Sequence, residues 1–271
     1  MPDIALLGDS PLFALFIAFL AIMAVAISKA GFGGALGALS APIMLFAFPP
    51  TVALGVLIPV FILIDIWVVW QWRKIGVRRL IGWMVIFGIS GQILGWVLLR
   101  FGAIDDAFIL LMIGVIAVLT ASRYFLGQWR ASQTGQSLRH QARHMRQRIW
   151  QRAMIWCSLS GFTSFVSLTG GIPVQVYLLP LQLKRQLFVA TMAWYFLFIN
   201  LFKIPFFIDL DLVTPQSLTL SALLAVFVPL GVMIGRWMNK HLSDKLFYTV
   251  AYLCLLGLGM HLIYRFMIGD I

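Results

Sequence analysis

Three charged side chains interrupt stretches of sequence that are otherwise apolar, and any ion binding or proton transfer would depend on them. Asp65 is the acid placed deep in an apolar stretch, while Lys29 and Lys203 lie within or beside two others. A charged side chain at the centre of a membrane costs about 2.5–3.5 kcal/mol on insertion scales, so each of these needs a compensating partner or a function. Asp65 either pairs with one of the lysines as a structural bridge, or it binds and releases a proton in a functional cycle.

Each lysine also has two interpretations. Lys29 lies two residues before Gly31 and would offer a compact positive charge to an anion. If the first helix spans fully, however, Lys29 reaches the inner interface and only extends its ammonium group into water. Lys203 precedes Asp209 by six residues and would either contact the anion or reach the outer surface in the same way.

Two glycine clusters are the second candidate feature, at Gly31-Phe32-Gly33-Gly34 and at Thr169-Gly170-Gly171. One interpretation is structural, because glycine permits tight turns and close helix packing. The other is that a broken helix exposes amides at the start of its second arm, where they and the helix dipole bind an anion. The predicted binding residues are then Gly33, Gly34, Gly170 and Gly171, with Ser40, Thr169 and Gln175 as side-chain donors and Trp194 lining the path.

A third pattern belongs to a different class of protein. Gly88-Ile89-Ser90-Gly91 matches the short motif around the nucleophile of rhomboid-type intramembrane proteases, and His261 would serve as the base. Helix packing is the alternative, because small residues recur in the second half of the chain at Gly231 and Gly235.

The composition places all these residues in a membrane. Hydrophobic residues make up 62% of the 271 and charged residues only 11%, whereas a soluble domain is about 25% charged. The apolar stretches approach the roughly 20 residues that a helix needs to cross the hydrocarbon core. The sequence therefore predicts an all-α, polytopic integral membrane protein. Its ten apolar segments are 11–30, 32–48, 51–72, 80–101, 106–126, 153–168, 171–182, 188–208, 216–236 and 246–266.

The basic residues predict the orientation of the chain. Sixteen of the twenty fall in four breaks between segments, at 73–79, 123–152, 184–185 and 236–245. By the positive-inside rule these breaks are cytoplasmic, and the acidic breaks and both termini face the opposite side. Orientation and contact with anionic lipids account for most of the net charge of +11, so we expect no nucleic-acid partner.

The longest basic break also contains His140 and His144, whose spacing could bind a metal on one helix face. No acid or cysteine accompanies them, so we expect neither a metal site nor a cofactor.

This topology gives the two halves of the chain opposite orientations. Residues 11–48 leave and return to the outer side and residues 153–183 leave and return to the inner side, each as a helical hairpin with glycines at its tip. We predict a first repeat at 1–127, a basic loop at 128–152 and a second repeat at 153–271. Residues recur at a spacing of 137–140, pairing Gly33-Gly34 with Gly170-Gly171, Ala53 with Ala190, Gly91 and Gly95 with Gly231 and Gly235, and Asp105 and Phe108 with Asp244 and Phe247.

At the Gly31–Gly34 cluster followed by Pro42, and at Gly170-Gly171 followed by Pro180, the chain resembles the sulfite exporter TauE/SafE family. The resemblance covers nearly the whole chain, although members often have a longer glycine run than one that ends before Ala35. It implies export of small sulfur-containing anions, such as sulfite or organosulfonates, across a bacterial inner membrane. The expected partners are a small anionic substrate and membrane lipids, with a homodimer left open.

Inverted repeats with interrupted helices are typical of secondary transporters, whose substrate site lies near the membrane midplane. We therefore predict a multi-pass transporter, not an enzyme, with periplasmic termini, that works by alternating access around a site formed by the two glycine hairpins. Asp65 is the candidate for coupling. The alternatives are an anion channel and a rhomboid-like serine protease that uses Ser90 and His261.

Overall fold

The computed structural model describes residues 11–34, 37, 40–44, 47–101, 106–134 and 149–268, and within these ranges its regular secondary structure is entirely helical. Five of the described helices are long and apolar enough to cross a membrane, and one bent pair gives a sixth crossing if it counts as a single span. The all-α, polytopic prediction is thus confirmed. His140, His144, Ala35 and Asp105 lie outside the described residues.

Eleven α-helices follow one another, and their bounds agree closely with the predicted apolar segments. In chain order they are α1 (Pro11–Phe32), α2 (Ser40–Met44), α3 (Pro50–Gln71), α4 (Arg78–Phe101), α5 (Asp106–Thr134), α6 (Ile149–Ser167), α7 (Gly171–Leu178, followed by a 3₁₀ turn at Leu179–Leu181), α8 (Arg185–Asp209), α9 (Pro215–Ala225), α10 (Val228–His241) and α11 (Asp244–Met267).

One predicted segment, 216–236, is not continuous. It consists of α9 and α10, which meet at a bend of 51°. Pro229 is the second residue of α10; it has no amide proton for the carbonyl of Ala225, and its ring crowds that carbonyl. The proline therefore accounts for the bend that apolar composition alone did not predict.

The chain divides into two compact units, and each combines helices from both halves of the sequence. The first unit comprises Met1–Val85 and Arg185–Leu242, and the second comprises Ile86–Lys184 and Ser243–Ile271. The predicted boundaries at 127 and 152 concern the repeat in the sequence rather than the packing, so they stay a prediction.

In the first unit, small residues bring α1 against α10. A Cβ atom on Gly231 would lie 2.6 Å from the Cβ of Ala26, and one on Gly235 would lie 2.5 Å from the carbonyl oxygen of Ile27. The side chain of Asn239 donates a hydrogen bond of 3.0 Å to the carbonyl of Gly31. Asn239 thus satisfies one of the last carbonyls of α1, which has no partner within its own helix.

In the second unit, glycines bring α4 against α6 in the same way. A Cβ atom on Gly91 would overlap the carbonyl of Ser158, and one on Gly161 would overlap the carbonyl of Gly88. Ser90 donates a hydrogen bond of 2.8 Å to the carbonyl of Phe87, and its Oγ lies 3.3 Å from that of Ser158. The Gly88–Gly91 motif is therefore a helix-packing motif here, as its alternative interpretation predicted.

The turns of the two hairpins share one backbone geometry. Gly33 and Leu168 have left-handed backbones, with φ of 69° and 58°. The next amides, of Gly34 and Thr169, each donate to a carbonyl six residues earlier, at 2.9 and 3.3 Å. Both pairs are 135 residues apart in the sequence.

The spacing of 135 corrects the glycine match made from the sequence. Gly170, which we had paired with Gly33, has an ordinary right-handed backbone with φ of −56° and precedes α7 as its N-cap. The left-handed position is Leu168 instead, a residue type for which this conformation costs about 1–2 kcal/mol. The helices α3 and α8, which begin at Pro50 and Arg185, are also 135 residues apart. Shared turns and helix starts support two related halves, and the inverted orientation of these halves stays a prediction.

The crossing of α4 and α6 gives a matched pair of variants. A Cβ atom at Gly91 has no room, whereas one at Gly82, in the same helix, has no other atom within 4 Å. We expect Gly91→Ala to lower the stability of the purified protein by about 1–3 kcal/mol or more, because the helix backbones must separate. Gly82→Ala should be neutral or stabilising by up to about 1 kcal/mol, because alanine favours a helix. Thermal unfolding in detergent measures both, and equal melting temperatures for the two variants would contradict the close crossing.

Candidate functional site

The buried charged side chains that the structure describes all lie in the first unit. They are Lys29 on α1, Asp65 on α3 and Lys203 on α8, with exposed fractions of 6%, 1% and 0%. Lys29 occupies the last turn of α1, where the negative end of the helix dipole favours a cation. Its side chain is buried within the unit, so Lys29 does not extend its ammonium group into water as one interpretation proposed.

Lys29 and Asp65 form an ion pair. The ammonium nitrogen lies 2.7 Å from both carboxylate oxygens of Asp65. It also lies 4.7 Å from the ring centroid of Phe61 and 5.1 Å from that of Phe196, distances at which a cation is attracted by an aromatic face. The structural pairing predicted for Asp65 is therefore present, and Lys29 is its partner.

Asn200 connects this pair to the second lysine. Its side-chain nitrogen donates a hydrogen bond of 2.8 Å to Asp65, and its side-chain oxygen accepts a long one of 3.4 Å from Lys203. The two contacts assign the orientation of the amide, because the oxygen must face the ammonium group. Lys29, Asp65, Asn200 and Lys203 thus form one chain of contacts, which we call the buried cluster.

Asn200 was absent from the binding residues predicted from the sequence. The signal that identifies it is the spacing of the hairpin turns, since Asn200 follows Asp65 by 135 residues. The two residues occupy corresponding positions in the two halves and contact each other, as residues beside a twofold axis would. In transporters with inverted repeats the substrate site lies near that axis.

Gly33 and Gly34 serve the turn that ends α1. Both have left-handed backbones, and a Cβ atom on Gly33 would lie 2.7 Å from the ring of Phe188. The amide of Gly34 donates to Ser28. Ser40 donates its hydroxyl proton to the carbonyl of Gly37 at 2.6 Å. The tight-turn interpretation accounts for these contacts, and an anion contact at these residues stays a prediction.

The predicted residues of the second hairpin lie in the second unit. Gly170 packs against α6, where a Cβ atom would lie 2.5 Å from the carbonyl oxygen of Ser160, and its own carbonyl accepts a hydrogen bond of 2.6 Å from the Ser160 hydroxyl. Thr169, Gly171 and Gln175 are buried. Gly171 begins α7, and Gln175 lies one turn further along. The second hairpin therefore presents buried uncharged polar groups, in contrast to the ion pair of the first unit.

Trp194 is not part of the buried cluster. It is half-buried and stacks on Phe198 with ring centroids 5.9 Å apart. Its ring also faces Gly76, where an added Cβ atom would lie 3.5 Å away. Trp194 precedes Asn200 by six residues, which places it about 9 Å away along the helix axis.

The protease alternative requires Ser90 to be activated by His261. The hydrogen-bond partners that the structure gives Ser90 are the carbonyl of Phe87 and the hydroxyl of Ser158. Ser90 thus packs α4 against α6, and no contact in the described part of the chain joins it to His261.

A comparison with protein families gives one match, to the model described as Sulfite exporter TauE/SafE, over residues 17–262. The matched range includes the buried cluster and both hairpin turns. Neither the curated proteins nor the solved structures that were searched contain a match to the chain. The glycine motifs and the apolar helices agree with the family match, and the chain is a multi-pass membrane protein that belongs to the sulfite exporter TauE/SafE family, a family of transporters for sulfur-containing anions.

Proposed function

We propose that the chain exports sulfite or an organosulfonate across the bacterial inner membrane by alternating access. The observation that carries this proposal is the buried cluster. Its two lysines and one aspartate sum to one positive charge when all three are ionised. Surplus positive charge in a membrane interior is costly, and a bound anion of single charge would neutralise it.

The chemistry of the cluster suits a sulfur oxyanion. Lys203 carries three N–H donors, and Asn200 beside it carries an amide. Asp65 already occupies the ammonium group of Lys29 at 2.7 Å, so we assign the anion contact to Lys203 first. Lys29 would join it when Asp65 is protonated or moves away.

The direction of transport follows from the membrane potential. One negative charge that moves outward against an inside-negative potential gains about 2.3 kcal/mol per 100 mV, roughly a fiftyfold concentration ratio. Export of a monovalent anion therefore needs no nucleotide hydrolysis.

The glycine hairpins are the second part of the proposal. Each ends one helix and starts another, at Gly33-Gly34 in the first unit and at Thr169–Gly171 in the second. Interrupted helices of this kind provide the polar backbone groups and the flexible joints that alternating access uses. We propose that the start of α7 contributes amide donors to the anion, with Thr169 and Gln175 beside them.

Lys203→Met tests the anion site directly. In proteoliposomes made with equal amounts of folded protein, we expect the flux of labelled ethanesulfonate to fall at least tenfold, because a charge-assisted hydrogen bond is lost. Lys74→Met is the matched control, since Lys74 is exposed, and its flux should equal that of the wild type. The panel also includes sulfite, sulfate and acetate.

The same assay separates a carrier from the channel alternative. Unlabelled ethanesulfonate on the opposite side should accelerate exchange through a carrier that alternates between two states, and it should not do so through a channel. Wild-type protein that moves no sulfur anion would refute the proposed function.

Asp65 is the proposed coupling residue. Ethanesulfonate stays ionised over the accessible pH range, so any pH dependence of its flux reports on the protein. If Asp65 couples transport to protons, the flux through Asp65→Asn should lose the pH dependence shown by the wild type. Lys29→Met with Asp65→Asn is the second variant, because Asp65→Asn alone leaves a buried cation unpaired at a cost of about 3–5 kcal/mol. A pH dependence that both variants retain would remove Asp65 from the coupling mechanism.

The proposed orientation rests on the distribution of basic residues. In a background with Cys157→Ala and Cys254→Ala, single cysteines at Gln141 and Asp270 report on the basic loop and the C-terminus. A membrane-impermeant maleimide should label Asp270→Cys from the periplasmic side and Gln141→Cys only after permeabilisation. A C-terminus that is labelled only from the cytoplasm would contradict the inverted repeat.

A further inference from the structure

Gln175 is a buried polar side chain for which the fold supplies no partner. Its exposed fraction is 0%. Neither its side-chain oxygen nor its side-chain nitrogen has a hydrogen-bond partner among the described residues. Buried amides in proteins are almost always hydrogen bonded, so an exception calls for a specific explanation.

The position of Gln175 directs its amide toward the tip of the second hairpin. Gln175 lies four residues after Gly171, the first residue of the eight-residue helix α7, and residues four apart share one helix face. Helical side chains lean toward the N-terminal end of their helix. The amide therefore extends toward the first turn of α7, where backbone N–H groups lack an acceptor within the helix and the dipole is positive.

The first hairpin shows that the turn itself does not need a free amide here. Ser40 precedes Gln175 by 135 residues, the spacing that relates the two turns. Its hydroxyl donates to the carbonyl of Gly37 at 2.6 Å and so completes its own turn. In the second hairpin Ile172 donates to Thr169 as Gly37 donates to Gly34 in the first, without any contribution from the side chain of Gln175.

We propose that Gln175 and the start of α7 bind a sulfur oxyanion that carries a hydroxyl group of its own. The anionic oxygens would accept hydrogen bonds from the α7 amides and from the Gln175 nitrogen. The Gln175 oxygen would accept the hydrogen bond that the ligand's hydroxyl donates. This inference rests on the proposed function and specifies its substrate class.

The donor and acceptor inventory distinguishes this ligand from a simple sulfonate. An amide side chain has two N–H donors and one carbonyl acceptor, whereas an alkanesulfonate has acceptors only. A simple sulfonate would leave the carbonyl oxygen of Gln175 buried without a donor. A hydroxylated sulfonate satisfies both ends of the amide, and so does hydrogen sulfite through its own O–H.

Two sulfonates of equal charge and similar size test the proposal. Initial rates of 2-hydroxyethanesulfonate and ethanesulfonate are measured over a range of concentrations in proteoliposomes of the full chain. We expect kcat/KM of the wild type to favour the hydroxylated compound by about tenfold, the effect of one hydrogen bond to a buried amide. Gln175→Met keeps the length of the side chain and removes its polar atoms, so the ratio should fall to about one while ethanesulfonate flux persists.

Sulfite flux identifies the source of the hydroxyl. If hydrogen sulfite is a ligand, wild-type sulfite flux should rise relative to ethanesulfonate flux as the pH falls, and Gln175→Met should lose that rise. Gln216→Met is the control variant, because Gln216 is an exposed glutamine of the first unit, and it should keep every ratio of the wild type.

Thermal unfolding supplies an independent readout. Saturating 2-hydroxyethanesulfonate should raise the melting temperature of the wild type more than that of Gln175→Met. Without ligand the variant should be as stable as the wild type, because methionine leaves no polar atom buried. A destabilised variant would overturn the proposal by giving the amide a structural role.

The flux results separate this inference from the proposed function. Equal wild-type rates for the two sulfonates, or a preference that Gln175→Met retains, would overturn the role of Gln175 alone. Absence of flux for every sulfur anion would overturn both proposals.

Discussion

The rest of the first unit depends on the ion pair between Lys29 and Asp65, because neither charge is stable alone in an apolar interior. Removing one partner of a buried pair costs about 3–5 kcal/mol, most of it from the charge left behind. The pair joins the last turn of α1 to the middle of α3, and Asn200 extends it to α8. The glycine turn after α1 and the bond from Asn239 to Gly31 hold that last turn in place. Helix ends, turn and charges therefore constrain one another.

The two hairpins share a turn but differ in what they bury. The first turn lies beside an ion pair and aromatic rings, whereas the second lies among hydroxyl groups and the amide of Gln175. Corresponding positions also differ in charge, since Asp65 is matched by Asn200 and Ser40 by Gln175 at the spacing of 135. A duplicated fold thus carries two different sets of polar groups, and we assign charge recognition to the first and hydrogen-bond recognition to the second.

The family match gives this division a chemical meaning. The chain belongs to a family of sulfur-anion transporters, and a small oxyanion offers both a charge and several acceptor oxygens. A lysine recognises the charge of any anion, because its ammonium group is a point charge with freely rotating donors. A buried amide is more selective, because it requires one acceptor and one donor in fixed positions.

The sequence by itself determined the membrane-spanning all-α class, the approximate helix bounds and the places where the hairpins turn. These features are local: apolar length defines a helix, and glycine permits a left-handed turn, as at Gly33. The spacing of 137 taken from the glycines missed the true correspondence of 135, because Leu168 adopts the left-handed backbone without being glycine. Only the tertiary structure decided that Asp65 pairs with Lys29, that Asn200 joins them, and that Trp194 lies apart from the cluster. Partner choice depends on distances between residues 36 and 135 positions apart in the chain, and hydropathy and residue spacing contain no information on those distances.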